Sequence, residues 1–399
     1  MATTDTTGML INELTLRGLL SFGPDSPPLK MQPLNVLIGP NGSGKSNLVE
    51  AIDLLRSAAA KITSPMRGPG GGGVMEWIWK GSPASNAHIE AVIENSKGSQ
   101  ALRHVIEFTQ TSAMFELVDE AIENAESSPG HDEVYFFYRF QHGHPVVNIR
   151  SEEEPRRLQR EDLILDESIL SQRKDPDQYP ELTYLAKVYS SFRLYREWSF
   201  GRSSVFRSPQ SADLPGDRLE EGFSNLGLFL NHLRSIPKAK NAIIEHLRDL
   251  YEGLDDFDVR IKGGTVEVFL TEGNFTVPAS RLSDGTLRYL CLLAILCDPD
   301  PPALICIEEP ELGLHPDMMP KIADLMVAAS ERTQLIVTTH SDILVDAMTD
   351  RPESVVVVEK HNGMTQTRRL ENTDELKEWL GKYRLGELWT RGQLGGNRW

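Results

Sequence analysis

Four short stretches of this chain combine residue types that can grip phosphate, hold a metal ion and move a proton. The first, GPNGSGKS, fits the pattern G-x-x-x-x-G-K-[ST] with Gly39, Gly44, Lys45 and Ser46. Pro40, Asn41, Gly42 and Ser43 complete the loop, and Asn47 follows it. Successive backbone N–H groups of such a loop converge on phosphate oxygens, and glycine permits the close approach. Lys45 is expected to neutralise the β- and γ-phosphates of ATP and Ser46 to ligate Mg²⁺. The second stretch, ALICIEEPELGLHP, ends an apolar run in Glu308 and Glu309. Glu308 suits the Mg²⁺ shell, while Glu309 could orient and deprotonate an attacking water. In the third, SRLSDGTLRYL, Ser283, Asp284 and Gly285 sit at an expected helix start, where either a phosphate or an ordinary N-cap would use them. The fourth, QLIVTTHSD, places His340 just past an apolar run, in reach of a γ-phosphate.

These residues need a scaffold that brings strand ends together. LNVLI before the loop reads as a buried strand, and the helix after it should bury Leu48, Ile52, Leu54 and Leu55. Further on, the pattern predicts a helix from about Gly285 to Leu296, a strand over Ala303–Ile307, a helix from about Met318 to Ser330 and a strand over Gln334–Thr338. That alternation argues for a parallel α/β core, with ligands at the carboxyl ends of its strands. Residues 10–22 read as a strand, and Gly68 to Gly73 as a flexible connector. Apolar runs broken by turn residues from Ile89 to Ile149 predict an antiparallel meander. Residues 258–270 alternate about Gly263-Gly264, which marks a hairpin. Between about Glu152 and Gly253 the chain reads as mainly helical.

Composition narrows the class. The 399 residues are 40% hydrophobic and 25% charged, ordinary for a globular protein. No apolar run reaches the roughly 18 residues needed to span a bilayer, and the first ten residues lack the features of a secretory signal. Cys291, Cys297 and Cys306 show no metal-ligand spacing, so a cytoplasmic location is expected. A net charge of −17 counts against a general nucleic-acid coat. It leaves room for a local basic groove, for which Lys187 to Arg207 is the candidate. There Arg193, Arg196, Arg202 and Arg207 interleave with Phe192, Tyr195, Trp198 and Phe200. The mixture suits either a nucleic-acid track or a packed face whose arginines pair with nearby acids. Trp389 and Trp399 could likewise dock a partner or simply pack.

Taken together, GPNGSGKS, LSDGT, IEEPELGLHP and TTHSD resemble the ABC-type ATPase heads of the RecF/SMC/OLD group, most of all stand-alone OLD-like AAA family ATPases. The order is that group's own, with LGLHP (Leu312 to Pro316) in the place of the D-loop. The resemblance implies a P-loop NTPase fold with a parallel core sheet, an antiparallel β subdomain and an inserted, mainly helical lid. It divides the chain into an N-terminal lobe (1–150), the insertion (151–255) and a C-terminal lobe (256–399). It further implies ATP and Mg²⁺ as cofactors and a homodimer closed through an ATP sandwich, in which Ser283 and Gly285 cap the partner's nucleotide. LSDGT departs from the two-glycine signature of transporters, and Glu308 stands where most ABC proteins carry aspartate. The glutamine of a Q-loop has only Gln100 and Gln110 as candidates. Long coiled-coil arms are not expected between loop and signature, nor a nuclease domain after His340. The biological role then expected is the ATPase switch of an anti-phage defence system, acting on a separately encoded nuclease or toxin. The alternative is a RecF-like repair or chromosome-maintenance ATPase that binds DNA directly.

Overall fold

The computed structural model describes residues 8–81, 86–112, 114–141, 144–149, 156–158, 163–164, 166–251, 253–371 and 373–396. Strand β1 (Ile11–Arg17) ends where Gly18 (φ 59°) and Leu20 (φ 53°) turn the chain, so it is shorter than the 10–22 run suggested. β2 (Leu29–Lys30) returns beside it, and β3 (Leu34–Ile38) is buried at every position. Helix α1 (Lys45–Ala58) buries Leu48, Ile52, Leu54 and Leu55 as their spacing predicts. Two single turns, α2 (Ser64–Arg67) and α3 (Val74–Trp77), flank the glycine run. That run is a pinned turn: the Trp77 indole donates to the Gly71 carbonyl at 3.1 Å, and the Gly73 amide to that of Met66 at 2.9 Å. The meander follows as β4 (Ala87–Ile93), β5 (Leu102–Thr111), β6 (Met114–Asn124), β7 (Phe136–Gln141), β8 (His144–Val147) and β9 (Arg156–Arg157). With β1 and β2 it forms one antiparallel sheet in the order β2-β1-β4-β5-β6-β7-β8-β9.

The middle of the chain supplies α4 (Ile169–Gln172), α5 (Pro180–Ser191), β10 (Arg193–Tyr195), β11 (Gln210–Ser211), α6 (Leu226–Ser235) and α7 (Pro237–Leu250). Helices predominate, as the sequence suggests, but two short strands tie this segment to later parts of the chain, β10 to Leu304–Glu308 and β11 to Thr265–Glu272. β12 (Leu254–Lys262) and β13 (Thr265–Glu272) form the expected hairpin, with Gly263 and Gly264 at φ 60° and 81° as a tight turn requires. On the edge of β13 away from β12, β11 pairs with its first residues and β14 (Phe275–Pro278) with its last.

The alternating C-terminal part reads α8 (Asp284–Leu296), β15 (Leu304–Glu308), α9 (Met319–Ser330), β16 (Gln334–Thr338), α10 (Asp342–Asp346), β17 (Val355–His361), β18 (Met364–Arg369), α11 (Asp374–Leu380) and α12 (Leu385–Thr390). The core sheet runs β10-β15-β16-β3-β17-β18, parallel except for the last pair. β3 shows why its run is apolar but for Asn35, whose buried amide donates to the Gln32 and Leu335 carbonyls. Leu34, Val36 and Ile38 enter one hydrophobic layer with residues of α6 to α9, while Leu37 enters the other with α1 and α5. A parallel strand covered on both faces has no solvated side, so a polar residue in it must find its hydrogen bonds within the protein, as Asn35 does.

Candidate active site

The phosphate loop leaves the carboxyl end of β3 and closes on the first turn of α1. Gly39, Gly42 and Gly44 adopt φ of 151°, 76° and 112°, in the left-handed half that L side chains avoid. At Gly44 space is also short, since a Cβ there would lie 2.1 Å from Thr365 Oγ1. Thr365, the second residue of β18, braces the loop by donating to the Ser43 carbonyl at 2.7 Å. Ser21 Oγ meets the same threonine hydroxyl at 2.6 Å and accepts from Asn47 Nδ2 at 2.6 Å. Asn47 is thus a brace of the loop. Lys45 Nζ lies across the loop, donating to the carbonyls of Gly39 (2.7 Å) and Pro40 (3.2 Å). Burial lowers the lysine's pKa to about 8 against the pull of Glu309, Glu311 and Glu308. A buried ammonium held on carbonyls is poised to exchange them for phosphate oxygens. Asn41, Gly42 and Ser46 are exposed along the loop, and Ser43 is buried.

Two neighbouring strands bring the acidic residues and the histidine to this loop. β15 ends in Glu308, and β16, which lies between β15 and β3, leads into Thr339 and His340. Glu309 turns off β15 at φ 47°, an unfavourable backbone state for a glutamate, held by its surroundings. Its amide donates to the Thr338 carbonyl at 3.0 Å, and its carbonyl accepts from Arg288 at 2.7 Å. Its carboxylate lies 3.6 Å from His340 Nε2. Glu308 keeps one buried oxygen, Oε1, without a hydrogen-bond partner. That oxygen and the exposed Ser46 are the hard oxygen donors Mg²⁺ prefers, so the residues present fit the ion.

The sequence did not single out Glu311. It is half-buried with its Oε2 enclosed, accepts from Thr339 Oγ1 (2.8 Å) and the His340 amide (2.7 Å), and so fixes the turn that carries His340. Burial raises its pKa. Arg288 was missed too. Its guanidinium is buried, 4.3 Å over the Trp198 ring, and desolvation lowers its pKa to about 10. The only forerunner of either role was the position of each residue within a quoted motif.

The third motif stands apart from the loop. Ser283 caps α8, accepting from the Thr286 amide at 3.0 Å, so the ordinary N-cap is real. Asp284 pairs with Arg207 at 2.5 Å and accepts from the Gly201 amide at 3.3 Å. A Cβ on Gly285 would lie 3.1 Å from the Gly313 carbonyl, which places signature and LGLHP side by side. Among the described residues, no hydrogen bond or ion pair joins Ser283, Asp284 or Gly285 to the phosphate loop.

The arginine–aromatic segment is a packed face. Arg193 donates to the carbonyls of Ser190, Ser191 and Phe192 at the end of α5. Arg196 reaches Glu308 and Glu50, and Arg207 reaches Asp284 and the Leu282 carbonyl. Phe192 and Tyr195 are buried, and Trp198 stacks with Phe200 and packs at a tilt against Phe223. Arg202 alone of the four is exposed without such a contact. Trp389 is buried and donates to the Gly396 carbonyl at 3.3 Å, while Trp399 lies outside the described residues. Gln100 and Gln110 belong to the β5 region of the antiparallel sheet, and the side chain beside Glu308 is Arg196. All three cysteines are free thiols.

Residues 34–346 match the family described as "AAA domain, putative AbiEii toxin, Type IV TA system". The chain belongs to this family. A 98-residue stretch, 23% of this member, is 36% identical to the chromosome partition protein Smc of Bordetella petrii and covers 8% of that protein. In structure, the family member resembles an Smc head bound to the C-winged helix domain of ScpA, with a TM-score of 0.57 at 16% identity over 91% of this chain and 98% of that one. An Smc head with an extended coiled coil, bound to the C-terminal domain of ScpA derived from Pyrococcus furiosus, gives 0.57 at 15% identity over 92% and 98%. These likenesses establish the fold: this AAA domain has the architecture of an ABC-type head. No described helix is long and apolar enough to cross a membrane.

Proposed function

We propose that this chain binds and hydrolyses ATP and that two copies open and close around two nucleotides. One observation carries the reading. The phosphate loop, Glu308–Glu309 and His340 all leave the carboxyl ends of three adjacent parallel strands, β3, β15 and β16. Lys45 and the loop amides take the phosphates, and Ser46 and Glu308 would hold Mg²⁺, which would supply positive charge to offset that of the phosphates. Glu309 orients the attacking water and accepts its proton, and His340 contacts the γ-phosphate. The signature, unconnected to its own loop, caps the nucleotide of the second copy through Ser283 and Gly285. Phosphate release from ATP tests this: Lys45→Ala should abolish both turnover and nucleotide binding. Full turnover in that variant would overturn it.

The family's description supports a place in defence, as a switch that controls a separate toxin or nuclease. The sequence match to Smc favours the second reading, a chromosome-maintenance ATPase acting on DNA. Binding to gapped or end-bearing DNA decides between them. The first reading predicts no more than salt-sensitive, non-specific affinity, because Arg193, Arg196 and Arg207 are committed internally.

A further inference from the structure

Arg196 follows β10, whose Tyr195 stands level with Ile307 of β15, so the arginine comes beside Glu308. Its Nε lies 3.4 Å from Glu308 Oε2, and its Nη2 3.2 Å from Glu50 Oε1. Glu50 stands one turn beyond Ser46 on α1. The three side chains are 28%, 16% and 29% exposed, sheltered enough for their charges to be felt. One guanidinium therefore bridges the helix that follows the phosphate loop and the carboxylate assigned to the metal. It lines an open cleft together with Glu50, Arg56, Glu221 and Glu308, which leaves it room to withdraw. The backbone at this point is held separately, because Trp198 Nε1 donates to the Glu308 carbonyl at 2.8 Å.

The geometry points to Arg196 as a positioning residue: a built-in counter-cation that holds Glu308 in place and is exchanged for the nucleotide's divalent ion. This rests on the ATPase reading above. A carboxylate that must receive a dication cannot keep its full share of a guanidinium, so arginine and metal compete for one charge. Arg196 thereby sets how readily the site takes metal, and Glu50 keeps the displaced guanidinium within reach. The adjoining Trp198 senses the exchange, because its indole is bonded to the residue whose charge partner changes.

The test uses the full chain, Mn²⁺ as the probe and a non-hydrolysable ATP analogue, with free Mn²⁺ read by electron paramagnetic resonance. Nucleotide affinity without metal is measured alongside. Arg196→Gln should bind Mn²⁺ about tenfold more tightly in the presence of the analogue, a typical coupling between linked sites. Metal-free nucleotide affinity should change little, and Arg196→Lys should return the metal affinity towards wild type. The fluorescence change on adding Mn²⁺, isolated by comparison with Trp198→Phe, should shrink in Arg196→Gln. Unchanged or weaker Mn²⁺ binding by a folded Arg196→Gln protein, with nucleotide binding intact, would overturn the proposal alone. Failure of the wild-type chain to bind the analogue at all would overturn the ATPase reading and this inference with it.

Discussion

Glu309 is placed by backbone bonds on both sides of a φ of 47°, so a substitution of its side-chain terminus should leave its position intact. Glu309→Gln is therefore expected to retain ATP binding and lose on the order of 10²-fold in phosphate release, the usual scale for a lost general base. Steady-state release beside equilibrium binding checks the split, and an undiminished rate would reassign the base. Glu311 behaves differently, because burial raises its pKa while the Thr339 hydroxyl, the His340 amide and nearby Glu309 face it. With the folded pKa above the unfolded one, its stabilising share is full below the ordinary carboxylate range. That share is lost as pH rises through the raised value, where an ionised carboxylate must stay buried. Glu311→Gln should then melt about 2 °C higher than wild type at pH 8, a gain fading towards pH 5. Thermal melts across that range decide it, and a gain that grows on acidification would contradict the assignment.

At the scale of elements, the phosphate loop is held by a strand that lies far from it in sequence. Thr365 of β18 is buried and donates to the Ser43 carbonyl, so Thr365→Val leaves that carbonyl unpaired. Such a loss costs about 1–3 kcal/mol. If the bound state carries it, nucleotide affinity should fall roughly tenfold in calorimetry. Equal affinity would show that the loop keeps its form without the brace. This brace also marks where the sequence stopped being legible. β3, the loop, α1, β15 and β16 were readable because each is specified locally, by glycines, apolar runs and helix periodicity. Arg196 beside Glu308 was not, since it depends on β10 entering the core sheet across 112 residues of chain. A three-residue strand carries too little pattern to announce such a pairing. The same non-local packing turned the arginine–aromatic segment inward, where composition alone fitted either a surface or an interior.

For the whole molecule, the head is asymmetric in its chemistry. Phosphate loop, acidic pair and histidine gather at adjacent strand ends. The signature instead lies with Gly313 and pairs with Arg207. A closed two-fold pair would complete each site with the other copy's signature, as an isologous interface requires. Ser283→Arg should block closure by steric bulk and added charge while sparing nucleotide binding to the single chain. The most direct measurement is the mass of the Glu309→Gln protein by light scattering, with and without ATP and Mg²⁺, alone and combined with Ser283→Arg. The account predicts a dimer on adding ATP to Glu309→Gln and a monomer in the double variant. A nucleotide-saturated Glu309→Gln protein that stays monomeric, or a double variant that still pairs, would contradict it.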